Sequence, residues 1–577
     1  MATGSQTGGA AKVLLEHRLL EGANVYFPRP AVKLTFDVSG LAGRPTPQIV
    51  SLARAAGLRS TAVGDPDSEL RWFTLTRLVS SLTRQVAHRG GVVRLAVRAR
   101  RGSAPGEVIV AVPWRHTGKV DALAAGIAEV LDAAGSRRRT IEAALVRAGE
   151  RLREADEGDE PRLIDPTVPV VGITGTNGKT TTSRMISHIA MTAGKHVAWS
   201  STEGVHHDGR LVVDGDYSGP GGAREVFRCS PLDLAVTETA RGGILRRGVG
   251  VRRFDVSVVT NVSADHLGLE GIDTLDQLAE VKAVVPRITK AKGWTVLNGD
   301  DPRVFAMRHL SEAKPWIFSP DSTSPSLRQA LDEGGRTTTV LDGTVVVVTH
   351  GRVQRVVDLV DVPMTLCGLS RANVENVLGV TSAALALGFS VDQVRAGLTS
   401  FLPERNNPGR MAVWLHQGRI FVIDVAHNEA GLQALLDICQ GVRAPGGGLL
   451  LSLSMAGDRQ ADAFHKLGEM AGLAAQQVIY TRTNKYLRGA DPEQLADWVA
   501  EGLEPTGTRL SARLDTEIDA FEWAMAHTQP GDVVGFMSHQ QRDEVKALMA
   551  ADGGHAASPD EIRELVMAAR EAATTQA

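Results

Sequence analysis

The sequence predicts an α/β protein in three parts: a central domain on a mainly parallel sheet, a smaller C-terminal α/β domain, and an N-terminal α+β domain. Three observations carry this. From Val168 onward, short apolar runs alternate with amphipathic helical stretches, the pattern of a parallel sheet covered on both faces. The run GITGTNGKTTT at 172–182 joins a strand pattern to a helix pattern through a glycine-rich turn. Glycine is abundant, at 60 residues, and aromatics make up only 4%, which suits strand-to-helix turns that approach ligands closely.

In chain order, residues 1–11 read as a flexible tail. An N-terminal α+β domain spans 12–160, with a strand at 32–38, helices at 47–58 and 68–88, and a hairpin of 92–100 with 107–113 across the turn GSAPG. A basic then acidic helical stretch, 137–160, leads to Pro161 and Pro166; Arg137, Arg138 and Arg139 lack interleaved aromatics and read as a solvated helix face. The central domain spans 161–405. Its strand candidates are 169–173, 196–200, 234–238 and 256–260, and its last helices 373–388 and 391–401. Pro403 and Pro408 mark the next boundary, and 406–552 forms the C-terminal domain with strands at 419–424, 449–454 and 477–481. Residues 553–577 read as a polar, alanine-rich tail, with a frayed helix as the alternative.

Composition excludes several classes. With 43% hydrophobic and 22% charged residues, the 577-residue chain has ample material for buried cores. A formal net charge of −3 gives no global attraction to nucleic acid or an anionic membrane. No apolar run approaches the ~20 residues of a bilayer span. Cys229, Cys367 and Cys439 are far apart and form no CxxC pair, which fits a reducing compartment, so the cytoplasm is the expected location.

The chemistry concentrates after residue 170. In 172–182 the backbone N–H groups of Gly175, Thr176, Asn177, Gly178, Thr180 and Thr181 suit phosphate oxygens, with Lys179 neutralising charge and Thr180 facing Mg²⁺. The strict phosphate-loop pattern wants glycine where Ile173 stands; this variant places its first glycine at Gly175. Glu238 closes an apolar strand, where its carboxylate could take the same cation. Leu275, Leu278, Lys282 and Val285 share one helical face, so Lys282 lies on an apolar surface where a bare ammonium is costly.

The loop variant resembles the Mur ligase family. TETARGGILR at 237–246, NVSADHLGLEGI at 261–272, PGRM at 408–411, DVAHNEAG at 424–431, GDR at 457–459 and SSTEGVHHDGRL at 200–211 are similar to its cyanophycin synthetase branch over about 165–540. The resemblance implies an ATP-dependent amide ligase that forms an acyl phosphate and couples an amine, with ATP and two Mg²⁺ ions as cofactors. It implies that His266 and a carbamylated Lys282 hold a second ion, that Asn376 with Asn373 behind it contacts the base, that Arg410 clamps charge near the nucleotide and that Asp424 contacts ribose or the bridging region. Thr202, Arg241, Arg488, His427 and Asn428 are the implied substrate-side residues, for a carboxylate-bearing acceptor and an amine. A homo-oligomer is also implied.

HRLLEGANVYF at 17–27 weakly resembles the opening of the N-terminal domain in that branch, whose ATP-grasp domain lies between this region and the ligase half. Only about 30 residues lie between the end of the N-terminal α+β pattern, near residue 135, and the start of the ligase likeness, near residue 165, so a separate ATP-grasp enzyme is an expected partner. Val425 and Glu429 depart from the branch's pattern and leave the amine open. Two alternatives stand beside the ligase: a nucleotide-binding accessory subunit for an ATP-grasp polymerising enzyme, and a folylpolyglutamate-synthase-like ligase.

Overall fold

The computed structural model describes residues 13–59, 62–136, 140–264, 267–349, 351–408, 410–457 and 459–576. Arg137, Arg138 and Arg139 lie outside them.

In the N-terminal region, strands Leu14–Leu20, Ala31–Asp37, Glu107–Pro113 and Arg98–Arg101 pair antiparallel in that spatial order. Alternating apolar residues such as Val32, Leu34 and Phe36 bury one sheet face against helices Glu69–Arg89, Thr117–Gly135 and Ile141–Glu154. Ser68 starts the first of these by accepting the Arg71 N–H. The expected hairpin is present, but its first strand begins at Arg98 rather than at residue 92.

Eleven strands form the central sheet, and seven adjacent ones are parallel: Arg336–Leu341, Lys314–Phe318, Thr289–Asn298, Phe254–Val259, Val170–Thr174, Leu234–Glu238 and Val197–Ser201. Antiparallel hairpin strands extend both ends. Helices cover both faces, and every residue of Val170–Thr174 is buried. That strand lies between Leu234–Glu238 and Phe254–Val259, with Ile173 opposite Glu238 and Thr174 opposite Val259. The loops after all three therefore leave the same edge side by side.

The third sheet runs Leu510–Leu514, Gln477–Thr481, Leu449–Leu453, Val533–Met537, Arg419–Asp424, Ala412–His416 and His555–Ala556, the first five parallel. The segment expected to be a polar tail contains helix Pro559–Gln576, whose Ile562 and Val566 are buried in the third core. Those two apolar positions, one helical turn apart, were masked by the alanine and charge around them. Among the described residues, no helix is long and apolar enough to cross a membrane.

The N-terminal region docks on the central one through backbone. Glu21 N–H donates to the Arg247 carbonyl at 2.8 Å, and Val249 N–H to the Ala23 carbonyl at 2.8 Å. A Cβ on Gly22 would stand 1.7 Å from the Val249 oxygen. Gly22→Ala is therefore expected to force the two regions apart, costing about 1–3 kcal/mol. Calorimetry should show the loss, and limited proteolysis should cut faster between residues 155 and 169; unchanged stability and cutting would refute the close docking.

Candidate active site

The loop after Thr174 is folded by its neighbours. Gly175 has φ +155°, and a Cβ there would lie 1.8 Å from Thr260 Oγ1; Gly178 has φ +85°, and its Cβ would lie 2.3 Å from Asn376 Oδ1. Both positions need glycine for conformation and for space. Asn177 donates its N–H to Asn261 Oδ1 at 2.9 Å, and its carbonyl accepts from Thr260 Oγ1 at 2.6 Å and Asn261 Nδ2 at 3.3 Å. Lys179 Nζ curls back to donate to the Thr176 carbonyl at 2.8 Å. Helix Lys179–Thr192 opens directly from the loop, with Gly178 as its left-handed cap.

Glu238 ends the neighbouring strand and is 1% exposed. Thr180 Oγ1 donates to its Oε2 at 2.9 Å, while Oε1 finds no hydrogen-bond partner among the described residues. Burial pushes its carboxyl pKa up; Lys179, Thr180 and Arg410 oppose that rise, and Asp216 reinforces it. Lys282 ends helix Leu275–Lys282 and is 3% exposed, as its place on the apolar face requires. His266 lies outside the described residues.

The loop and Lys282 line one cleft of about 810 Å³ between the central and C-terminal sheets, and Glu238 lies just behind its wall, bonded to Thr180. Residues 175–181, Thr202, Arg241, Lys282, Asn376, Arg410, Asp424, His427, Asn428 and Arg488 all face it. Arg241 Nη1 donates to the Leu269 carbonyl at 3.1 Å. Asn376 Nδ2 donates to Asn373 Oδ1 at 3.2 Å. His427 Nδ1 donates to the Val425 carbonyl at 3.0 Å. Asn428 caps helix Glu429–Val442 through the Gly431 N–H, and its Nδ2 reaches Asn177 Oδ1 at 3.3 Å. One side chain thus joins the C-terminal domain to the phosphate-type loop.

Sequence reasoning missed several residues of this cleft. Asn261 organises the loop backbone. Asp216 lines the cleft and accepts from Ser218 N and Oγ at 3.0 and 2.6 Å. Glu375 also lines it, its pKa raised by burial against hydrogen bonds from Arg371 and Asn298. Asn261 stood within a quoted motif and Glu375 directly beside the predicted Asn376; Asp216 carried no local signal.

Fold and cleft together define a two-domain α/β protein with a phosphate-type loop closed over by a second α/β domain. Residues 173–384 match the Mur ligase middle domain and residues 409–539 the Mur ligase glutamate ligase domain, and the chain belongs to the Mur ligase family. It is 34% identical over 355 residues to a cyanophycin synthetase of Synechocystis sp., covering 61% of this chain and 40% of that one. It is 26% identical to the UDP-N-acetylmuramoyl-L-alanyl-D-glutamate–2,6-diaminopimelate ligase of Chlorobaculum tepidum, covering 66% of this chain and 73% of that one. The structure of E. coli FolC with ADP superposes with a TM-score of 0.50 at 20% identity, covering 66% of this chain and 89% of that one. The chain therefore spans about two fifths of the length of the cyanophycin synthetases it matches.

Asp424 offers a pH test of the cleft. It is buried at a strand end, its Oδ2 accepts the Met411 N–H at 2.8 Å, and burial raises its pKa to about 6 against the pull of Arg410. A raised carboxyl pKa means that stability is fully present below the unfolded value near 4 and is lost as pH rises through 6. Asp424→Asn keeps the acceptor and removes the ionisation. Its stability relative to wild type should rise by roughly 2–3 kcal/mol between pH 4 and pH 8; an equal difference at both pH values in denaturant titrations would contradict the buried charge.

Proposed function

We propose that this chain is an ATP-dependent amide ligase, joining a carboxylate-bearing acceptor to an amino acid or other amine with release of ADP and phosphate. The observation that carries the reading is Glu238: a buried carboxylate beside the loop, one oxygen held by Thr180 and the other without a hydrogen-bond partner among the described residues. Such an oxygen, facing a loop with a lysine and hydroxyls, fits a divalent cation. Thr180 and Glu238 would hold one Mg²⁺, and His266 with a carbamylated Lys282 a second. The ions supply Lewis-acid neutralisation of phosphate oxygens.

The chain's own groups do the rest. The N–H groups of the loop and Lys179 bind the phosphates, Asn376 the base, Asp424 the ribose, and Arg410 the phosphate charge. Thr202, Arg241 and Arg488 orient carboxylates, since a guanidinium suits bidentate pairing. An acceptor oxygen attacks the γ-phosphorus, the bond to the ADP oxygen breaks, and an acyl phosphate forms. The amine nitrogen then attacks the acyl carbon, the C–O bond to phosphate breaks, and the surplus amine proton passes to solvent. His427 and Asn428 bring the C-terminal domain over the cleft, which keeps water from the acyl phosphate. A cytoplasmic setting, a homo-oligomer and a separate ATP-grasp enzyme that makes the acidic acceptor belong to the same reading.

Incubation with Mg²⁺-ATP and a panel of acidic peptides and amino acids, followed by mass spectrometry, tests it. The expected outcome is a coupled product with stoichiometric ADP and phosphate, lost at least 100-fold in Lys179→Ala; AMP with pyrophosphate, or no product across acid and amine panels, would overturn the reading. Lys282→Ala should lose activity to a similar extent. If a carbamate acts at that position, millimolar acetate or formate should restore part of the rate by replacing the missing anion; rescue by amines instead would mean that a cation is required.

A further inference from the structure

The segment joining the central and C-terminal domains is fastened to the loop helix by a ring of buried and half-buried polar groups, three of which, Asn407, Arg184 and Glu203, the reading above leaves unused. Asn407 is fully buried, and its Nδ2 donates to Thr181 Oγ1 at 3.2 Å. Its Oδ1 accepts from Arg184 Nη1 at 3.1 Å. Arg184, 7% exposed, donates its Nη2 to Glu203 Oε2 at 2.6 Å. The other Glu203 oxygen stands 4.0 Å from Arg410 Nη2, and the Arg410 N–H returns to the Asn407 carbonyl at 3.2 Å.

The ring therefore joins three segments: the helix that opens from the loop, the turn after Val197–Ser201, and the interdomain linker. A buried guanidinium is costly unless fully paired, so Arg184 pins Glu203 and Asn407 in place. Arg410 is treated differently. At 4.0 Å from Glu203 it is oriented but not locked, and it faces the cleft together with Asp424, while its charge also reaches the buried carboxylate of Glu238 through space. A guanidinium held in that way can swing to a phosphate without breaking a short bond.

We propose that Asn407, Arg184 and Glu203 are positioning residues that hold the linker against the loop helix and so present Arg410 to nucleotide phosphates. This rests on the nucleotide reading of the cleft. Phosphate arriving at the loop takes Arg410, and because Asn407 ties the same linker to Thr181, the C-terminal domain is drawn in with it.

The test is a double-mutant cycle on Mg²⁺-ADP binding, read by calorimetry. Asn407→Leu, with the same branching but bulkier and without either hydrogen bond, should weaken Mg²⁺-ADP about tenfold in the otherwise native chain and less than twofold in an Arg410→Ala background. Glu203→Gln, which keeps an acceptor for Arg184, should show the same dependence on Arg410 with about a threefold effect, and serves if Asn407→Leu folds poorly. Hydrogen exchange should show Mg²⁺-ADP protecting amides of 402–411 in the native chain and not in Asn407→Leu. Equal weakening in both backgrounds, or linker protection that survives Asn407→Leu, would overturn the positioning role and leave the nucleotide site standing. Equal Mg²⁺-ADP binding by the native chain and Lys179→Ala would instead overturn the nucleotide reading, and this role with it.

Discussion

The carboxylate of Glu238 is taken out of water at the end of a parallel strand, and the arrangement of the cleft follows from that constraint. Burying such a group costs several kcal/mol unless opposite charge and hydrogen bonds offset it. The Thr180 hydroxyl does part of this directly, and Lys179 and Arg410 do it through space. Thr180 and Lys179 lie on the first turn of the loop helix, so the strand register that sets Ile173 beside Glu238 also sets the helix start. Arg410 comes from the linker to the other domain. One buried charge thus draws on two strands, one helix and one interdomain segment.

Among the described residues, the C-terminal domain reaches the loop itself through the Asn428 side chain. Asn428 reaches Asn177 at 3.3 Å, a long hydrogen bond. Its other end is firm, because the same side chain caps a 14-residue helix. Helices Lys179–Thr192 and Glu429–Val442 therefore begin on either side of one contact, and their N-terminal partial positive charges converge where an anion would sit. The pairing is weak enough to break and directional enough to re-form in register.

What could be read from sequence divides by range. The loop was legible because its glycines, lysine and hydroxyls are contiguous and their strand-to-helix context is local. Lys282 was legible because helical periodicity places it beside Leu278 and Val285, and it is buried. Asn407 was not, since its partners Thr181 and Arg184 lie 226 and 223 residues away. Nothing near Pro408 signals a buried amide. Asp216 enters the cleft only because the sheet order brings distant loops to one edge, and Glu375 enters it on the helix Arg371–Ala386 that carries Asn376. The edge strands Arg210–Val213 and Arg352–Asp358 went unread because they are exposed along much of their length and lack an apolar run; Thr289–Asn298, Lys314–Phe318, Arg336–Leu341 and Thr344–Thr349 went unread as well, although the last carries four consecutive valines.

The N-terminal region bears on the cleft through one strained residue. Glu270 holds φ +57°, a left-handed conformation that costs a residue with a side chain about 1–2 kcal/mol. Its two carboxylate oxygens are taken by Arg246 Nε at 2.9 Å and by Arg18 Nη1 at 3.1 Å. Partly exposed pairs of this kind contribute roughly 0.2–1 kcal/mol each, so both are needed to offset the strain. The turn they hold presents the Leu269 carbonyl to Arg241 in the wall of the cleft. Arg246 belongs to the same helix as Arg241, but Arg18 comes from the first strand of the N-terminal sheet. The central domain alone supplies only half of the compensation, so the shape of that wall depends on a domain whose own strands never enter the cleft.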